Sequence, residues 1–220
     1  MVYEKKPFYT SKTAIYDWLY SMYGQRYCKH LLTKQYKKKK RTGKKKKRSM
    51  IPSRISIHKR GKLGYQDYEG DTIVSKQNNV AIVTIYGPLS MYLDARKIYN
   101  LRPVTTTKVF RSMNKKIKIK SLTLDNGQEN KKHQEIGVDT YFCDTYSSWQ
   151  KPGVENANKL IRRYIPKGSD ISKYSHQYIS WIVHKYNNQP RKKLCWMTPN
   201  EFMRKKRLFK KKKPPKCFMQ

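Results

Sequence analysis

Fourteen Asp and Glu residues stand against 51 Lys and Arg in this 220-residue chain, so the few acids are its most informative side chains. Only Glu4 and Asp17 precede residue 67, and then Asp67, Glu69 and Asp71 follow at alternate positions. On a β-strand, residues i and i+2 share a face, so the three carboxylates point the same way. Like charges that close repel and raise one another's pKa, so a bound cation or a neighbouring lysine must offset them. Gly70, between the last two, leaves room for close backbone approach. Asp125 ends the segment IKSLTL, directly before the turn dipeptide Asn126-Gly127. An acid presented there can hold a metal ion, or can simply cap an Asx turn, which is the ordinary reading of Asp125 alone. Glu155 lies in WQKPGVENANKLIRRY, where Pro152 and Gly153 suit a helix start. Val154, Ala157, Ile161 and Tyr164 form one apolar stripe there, and Glu155, Lys159 and Arg162 lie on a neighbouring face beside Asn158. Alone, Glu155 is explained by the preference for acids near helix N-termini.

The elements that would carry these residues alternate in type between 60 and 205. Strand patterns cover Tyr65 to Val74, Val80 to Tyr86, Ser90 to Arg96, Ile119 to Leu124 and Val138 to Cys143. The second, VAIVTIY, is too apolar for simple alternation and reads as buried on both faces. A helix is expected over Thr105 to Lys116, and two more near 153–164 and 172–186. Three strands followed by alternating helix and strand predict a mixed five-stranded α/β sheet flanked by helices.

Three regions follow: a basic N-terminal segment over 1–58, a core over 59–205, and a basic, disordered tail over 206–220. In the first, Ser11 to Tyr23 reads as a helix capped by Ser11, with Ile15, Trp18, Leu19 and Met22 at helical spacing. From Lys34 to Arg48, 11 of 15 residues are Lys or Arg. Such a run is solvated or lies on phosphate. The formal charge of +37 points to a polyanionic partner, nucleic acid first, although a codon-biased genome also enriches Lys. No apolar stretch approaches the roughly 20 residues of a membrane span, so a cytoplasmic, nucleoid-associated protein is expected. Cys28, Cys143, Cys195 and Cys217 contain no CxxC pair, and the nearby Cys28 and His30 lack a second ligand pair for zinc.

The segments YEGDTIV, LTLDNGQENKKH, YFCDTYSSWQKPGVENANKLIRRYIPKGSDIS and NNQPRKKLCWMTPNEF, in that order, resemble the catalytic domain of the IS-thirty family of insertion-sequence transposases. The resemblance covers roughly residues 51 to 204. It implies an RNase H-like fold of the retroviral-integrase type, with Asp71, Asp125 and Glu155 as a DDE triad. The family often has Trp where this chain has Tyr68, and Gly where it has Pro152. The Asp125-to-Glu155 gap, 155 − 125 = 30, is a few residues shorter than in many relatives. Relatives carry helix-turn-helix modules ahead of this domain, so an N-terminally truncated copy is expected.

That resemblance implies that the chain would be a DDE transposase of bacterial origin, cutting and joining DNA strands with two Mg²⁺ ions, for which Mn²⁺ could substitute. Asp71 would bridge both ions, and Asp125 and Glu155 would each hold one. Its partners would be the element ends, the target DNA and further copies of itself. Lys159, Arg162 and Arg163 are the expected backbone contacts; Trp149 and Gln150 are placed to stack on or read flanking bases, with packing under the loop the equal alternative for Trp149. Glu69, Asn126 and Gly127 support the triad. His133 is either a phosphate contact or an ordinary surface histidine. The competing reading is a non-catalytic basic DNA-binding fragment of a decayed element.

Overall fold

The computed structural model describes residues 10–31, 51–145 and 147–210. The Lys34–Arg48 run and residues 211–220 lie outside the described residues, as does Cys217. The chain forms two compact units, residues 1–46 and 47–220.

In the first unit, helix α1 spans Lys12–Tyr20, and Ser11 caps it by accepting from the Ala14 amide at 3.0 Å. A 3-10 turn over Gln25–His30 follows, and the Trp18 and Tyr27 rings meet at a tilt of 31° with centroids 5.4 Å apart. The helix buries none of its residues. Ile15, Trp18 and Met22, expected as an apolar stripe, are exposed.

The second unit is built on strands β1 (Asp67–Val74), β2 (Ala81–Tyr86), β3 (Leu93–Ile98), β4 (Ser121–Leu124) and β5 (Asp139–Phe142), in the order β3-β2-β1-β4-β5. The first three are antiparallel neighbours, and β4 and β5 add in parallel. Helices are α2 (Pro103–Lys116), α3 (Pro152–Tyr164), α4 (His176–Asn187) and α5 (Pro199–Lys205).

Side-chain alternation gives the sheet two buried faces. Tyr68, Val83, Ile85, Leu122 and Leu124 pack on Phe110 and Met113 of α2. Ile73, Ile82, Tyr86 and Leu93 pack on Val154, Ala157 and Ile161 of α3 and Ile179 and Ile182 of α4. Every residue of β2 is buried, as its unbroken apolar run requires. A Cβ on Gly70 would lie 2.7 Å from Leu124 Cδ2, so the glycine lets the α2-side core close over β1.

Both expected boundaries of the core move outward. Ile51 and Ile57 are buried, and Ser56 bridges to Phe142, so the packed unit begins before residue 59. At the other end Leu208 is buried, Phe209 bridges to Ile117, and the Lys210 amide donates to the Lys116 carbonyl. Residues 206–210 therefore close the core instead of starting a disordered tail. Isolated apolar residues in basic surroundings carry no periodicity to reveal this.

Candidate active site

The parallel pairing of β1 and β4 sets the site's geometry. Asp67 pairs with Ser121 and Glu69 with Thr123, an offset of 121 − 67 = 54. The pairing ends at Thr123; continued past it, the same offset would set Asp71 level with Asp125 (71 + 54 = 125), just beyond β4, on the face that α3 covers. Cross-strand neighbours on one face lie about 5 Å apart. The Asp67 carboxylate is spent on structure, accepting from Ser121 Oγ and the Gly64 amide, each at 2.6 Å.

Glu69 is 3% exposed, and its Oε2 accepts from the Val154 amide at 2.7 Å. Lys151, at the N-cap of α3, makes no side-chain cap, so a carboxylate from β1 supplies one. Burial pushes the Glu69 carboxyl up, opposed by the Val154 hydrogen bond and by the charges of Lys151 and Arg60. A Cβ on Gly153 would lie 2.6 Å from the Tyr86 ring and 2.9 Å from Glu69 Oε2, so only glycine lets the helix start come this close.

Asp71, one of the three candidate metal ligands, is engaged through both carboxylate oxygens. Asn158 Nδ2 donates to its Oδ2 at 2.6 Å, and Lys151 Nζ lies 3.4 Å from its Oδ1. Thr84 Oγ1 sits within hydrogen-bonding distance of both Asn158 Oδ1 (3.0 Å) and the Asp71 carbonyl (3.1 Å). Asp125 forms the Asx turn that its setting suggests, accepting from the Gly127 amide at 3.3 Å and from Asn130 Nδ2 at 3.0 Å. Asn126 bridges outward, donating to the Cys143 carbonyl and accepting from Arg54. Glu155 is half-buried in the first turn of α3. Asn158, three positions later, touches Asp71, and that spacing is one at which helix residues share a side.

Two charged groups here were not singled out from the sequence. Lys151 is buried, and its Nζ donates to the Gly70 carbonyl at 2.9 Å as well as facing Asp71. The negative charges of Asp71 and Asp125 hold its ammonium in the protonated form against burial. Glu129 has its carboxyl pushed up, first by burial and then by Asp125 and Asp71. A Cβ on Gly127 would lie 2.4 Å from the Glu129 carboxylate, so the tight turn folds that side chain back over itself. The spacing of four between Asp125 and Glu129 across an Asn-Gly turn was the available signal.

Among the described residues no three His, Cys, Asp or Glu side chains converge closely enough to hold a metal ion as they stand. The donor set is nevertheless carboxylate oxygen, which suits a hard divalent cation, and it has already drawn one ammonium out of water.

The remaining candidates separate. Lys159 and Arg163 are exposed on α3. Arg162 is not beside them: it turns inward, and its Nη2 donates to the Val74 carbonyl at 3.1 Å. Trp149 is 72% exposed. Gln150 is held within its loop, donating to Asp144 Oδ2 at 2.9 Å and accepting from the Asp144 amide at 2.8 Å. His133 is neither surface residue nor phosphate ligand. It is buried with Nδ1 2.6 Å from Thr140 Oγ1 and Nε2 2.9 Å from the Pro52 carbonyl. Cys28, Cys143 and Cys195 are free thiols. No helix among the described residues is long and apolar enough to cross a membrane.

No protein-family model matches the chain. It is 36% identical over 204 residues, 87% of its length, to the transposase for insertion sequence element IS4351 of Bacteroides fragilis. It is 36% identical over 157 residues to the transposase InsI for insertion sequence element IS30A of Escherichia coli. A putative integrase, ORF3 of Spiroplasma virus SpV1-R8A2 B, matches at 32% identity over 201 residues, 86% of this chain. The chain spans 63%, 40% and 61% of the lengths of these three relatives. In fold it resembles the crystal structure of the catalytic core domain of BIV integrase, with a TM-score of 0.52 at 15% identity, covering 66% of this chain and 97% of that one. The core thus has the RNase H-like fold of that integrase domain, and over the matched residues the chain is similar to insertion-sequence transposases, those of IS4351 and IS30A among them.

Proposed function

We propose that the chain cleaves and joins DNA strands in transposition, with Asp71, Asp125 and Glu155 holding divalent cations, Mg²⁺ first and Mn²⁺ as a substitute. The observation that carries this reading is the parallel register of β1 and β4, whose continuation would set Asp71 level with Asp125, under a helix that bears Glu155 and touches Asp71 through Asn158. Such ions, when bound, activate a water or 3′-hydroxyl and offset charge on the leaving oxygen of a phosphodiester. The protein's own residues supply position. Glu69 fixes the start of α3, Asn158 orients Asp71, and Asn130 orients Asp125. No protein nucleophile is needed.

DNA is the substrate this reading requires, as element ends and as target. The charge of +37 supplies sequence-independent affinity through counterion release. Exposed Lys159 and Arg163 are the helix residues free to meet phosphate, and exposed Trp149 is free to stack on a base. Action as a multimer on paired ends is part of the proposal by family resemblance.

A second reading, a basic DNA-binding protein without chemistry, is favoured by one observation: a lysine, not a gap, stands beside Asp71. Nicking of a supercoiled plasmid separates the two. The enzymatic reading requires nicking or joining that depends on Mg²⁺ or Mn²⁺, stops on chelation and is lost in Asp125→Asn and Glu155→Gln. DNA binding by the wild type with no cation-dependent strand breakage would favour the second.

A further inference from the structure

We propose that Lys151 is the resident counter-cation of the carboxylate site: its ammonium holds the place beside Asp71 that a divalent ion would take, and it yields that place when such an ion binds. The inference rests on the metal-binding reading of Asp71 and Asp125 given above.

Among the described residues two lysines are buried, Lys97 and Lys151. Lys97 Nζ is held by the Ser172 and Tyr174 carbonyls, whereas Lys151, its side chain 7% exposed, faces a carboxylate. Removing an ammonium from water costs several kcal/mol unless charge and hydrogen bonds replace the lost hydration. The Gly70 carbonyl at 2.9 Å supplies one bond and Asp71 Oδ1 at 3.4 Å supplies the ion pair. The second distance exceeds the roughly 2.7–2.9 Å of a closed charge-assisted bond. The ammonium therefore lies within the field of the acids without being locked onto one oxygen. Asp125 contributes to that field. The other Asp71 oxygen is taken by Asn158, a neutral donor that can orient a carboxylate without opposing a cation.

This arrangement answers the repulsion among acids that the sequence posed. Without Lys151, Asp71 would lose the one cation that pairs with its carboxylate among the described residues. With it, the site stays assembled while no divalent ion is present. A dication entering beside Asp71 meets a positive charge already there, so the two compete. Lysine suits a yielding role, because its charge sits on a flexible four-carbon stem.

The alternative is a strut, with Lys151 only pinning the start of α3 to the Gly70 carbonyl. Mn²⁺ titration of the full chain at fixed ionic strength, followed by electron paramagnetic resonance and by thermal unfolding with and without Mn²⁺, distinguishes them. Lys151→Met and Lys151→Gln should bind Mn²⁺ about tenfold or more tightly than wild type, tenfold being about 1.4 kcal/mol. Both should melt below wild type without metal and gain more in melting temperature when Mn²⁺ is added. Lys151→Arg should show no gain in affinity, and Asp71→Asn should erase the gain of Lys151→Met. Equal or weaker Mn²⁺ binding by both neutral variants would overturn the counter-cation and leave the strut. If neither folds without metal, Mn²⁺ must restore folding, and failure to do so overturns the proposal equally. No Mn²⁺ binding by wild type or variants would instead remove the carboxylate metal site itself, and the inference with it.

Discussion

The Val154 amide donates to Glu69 Oε2 at 2.7 Å, so a carboxylate on the central strand caps the helix that carries Glu155. One hydrogen bond thereby ties the position of one candidate metal ligand to the strand that bears another. Removing it should loosen the site. Glu69→Ala leaves the helix start uncapped and should cost about 1–2 kcal/mol in urea unfolding. Glu69→Gln keeps an acceptor and should cost less. Equal losses in the two variants would show that the hydrogen bond is not what matters.

Gly153→Ala tests the same contact from the helix side. The added methyl meets the Tyr86 ring at 2.6 Å, and the ring is buried, so the helix start must shift. Overpacking of this kind costs about 1–3 kcal/mol. A change below about 0.5 kcal/mol, the range of indifferent surface substitutions, would mean that the helix start is not held where it lies.

The three basic residues of α3 should divide by experiment as they do in space. Arg162→Ala loses the hydrogen bond to the Val74 carbonyl and should lower stability by about 1 kcal/mol. Lys159→Ala and Arg163→Ala should leave stability within about 0.5 kcal/mol. Each should instead flatten the dependence of log K on log salt for duplex DNA by up to about 0.9 per phosphate contact. Unfolding curves and a salt series of binding isotherms measure both quantities. Arg162→Ala stable as wild type but weakened in DNA binding would reverse the assignment.

Asp144 gives a pH signature. Gln150 and His58 donate to its carboxylate, and Arg54 stands 3.9 Å away. Hydrogen bonding from Gln150 and His58, in that order, holds the carboxyl below its ordinary value. A lowered folded-state value means stability that is present above the unfolded carboxylate range and is lost as pH falls through the folded value. Asp144→Asn should therefore be less stable than wild type near pH 6, and the difference should shrink as pH falls below the ordinary carboxylate range. A difference that does not change with pH would point to packing instead of charge.

Much of this architecture can be read from residue order, because strand alternation and helix spacing are local. VAIVTIY declares a strand buried on both faces, and Asp71 and Asp125 would fall level once the register of two neighbouring parallel strands is continued past its last pair. What stayed hidden depends on contacts distant in sequence. Lys151 is one of 51 basic residues and gains its meaning only from Gly70 and Asp71, about 80 positions earlier. Glu69 looks like a metal-side acid in the sequence and serves in the fold as a cap. His133 is buried because Pro52 and Thr140 close on its two nitrogens. Arg162 shares a helix face with Lys159 by spacing, yet the end of β1 draws its guanidinium inward.

The decisive substitution is Asp71→Asn, which keeps the shape and removes the charge. Cation-dependent nicking of supercoiled DNA and the affinity for the same DNA should be measured side by side, in wild type and variant, with Mg²⁺ and with Mn²⁺. Strand breakage should be abolished, while affinity stays unchanged or rises slightly, because a carboxylate facing phosphate repels it when no cation intervenes. Strand breakage near the wild-type rate in Asp71→Asn would contradict the assignment of Asp71, and with it the reading of this sheet end as the site where DNA is cut.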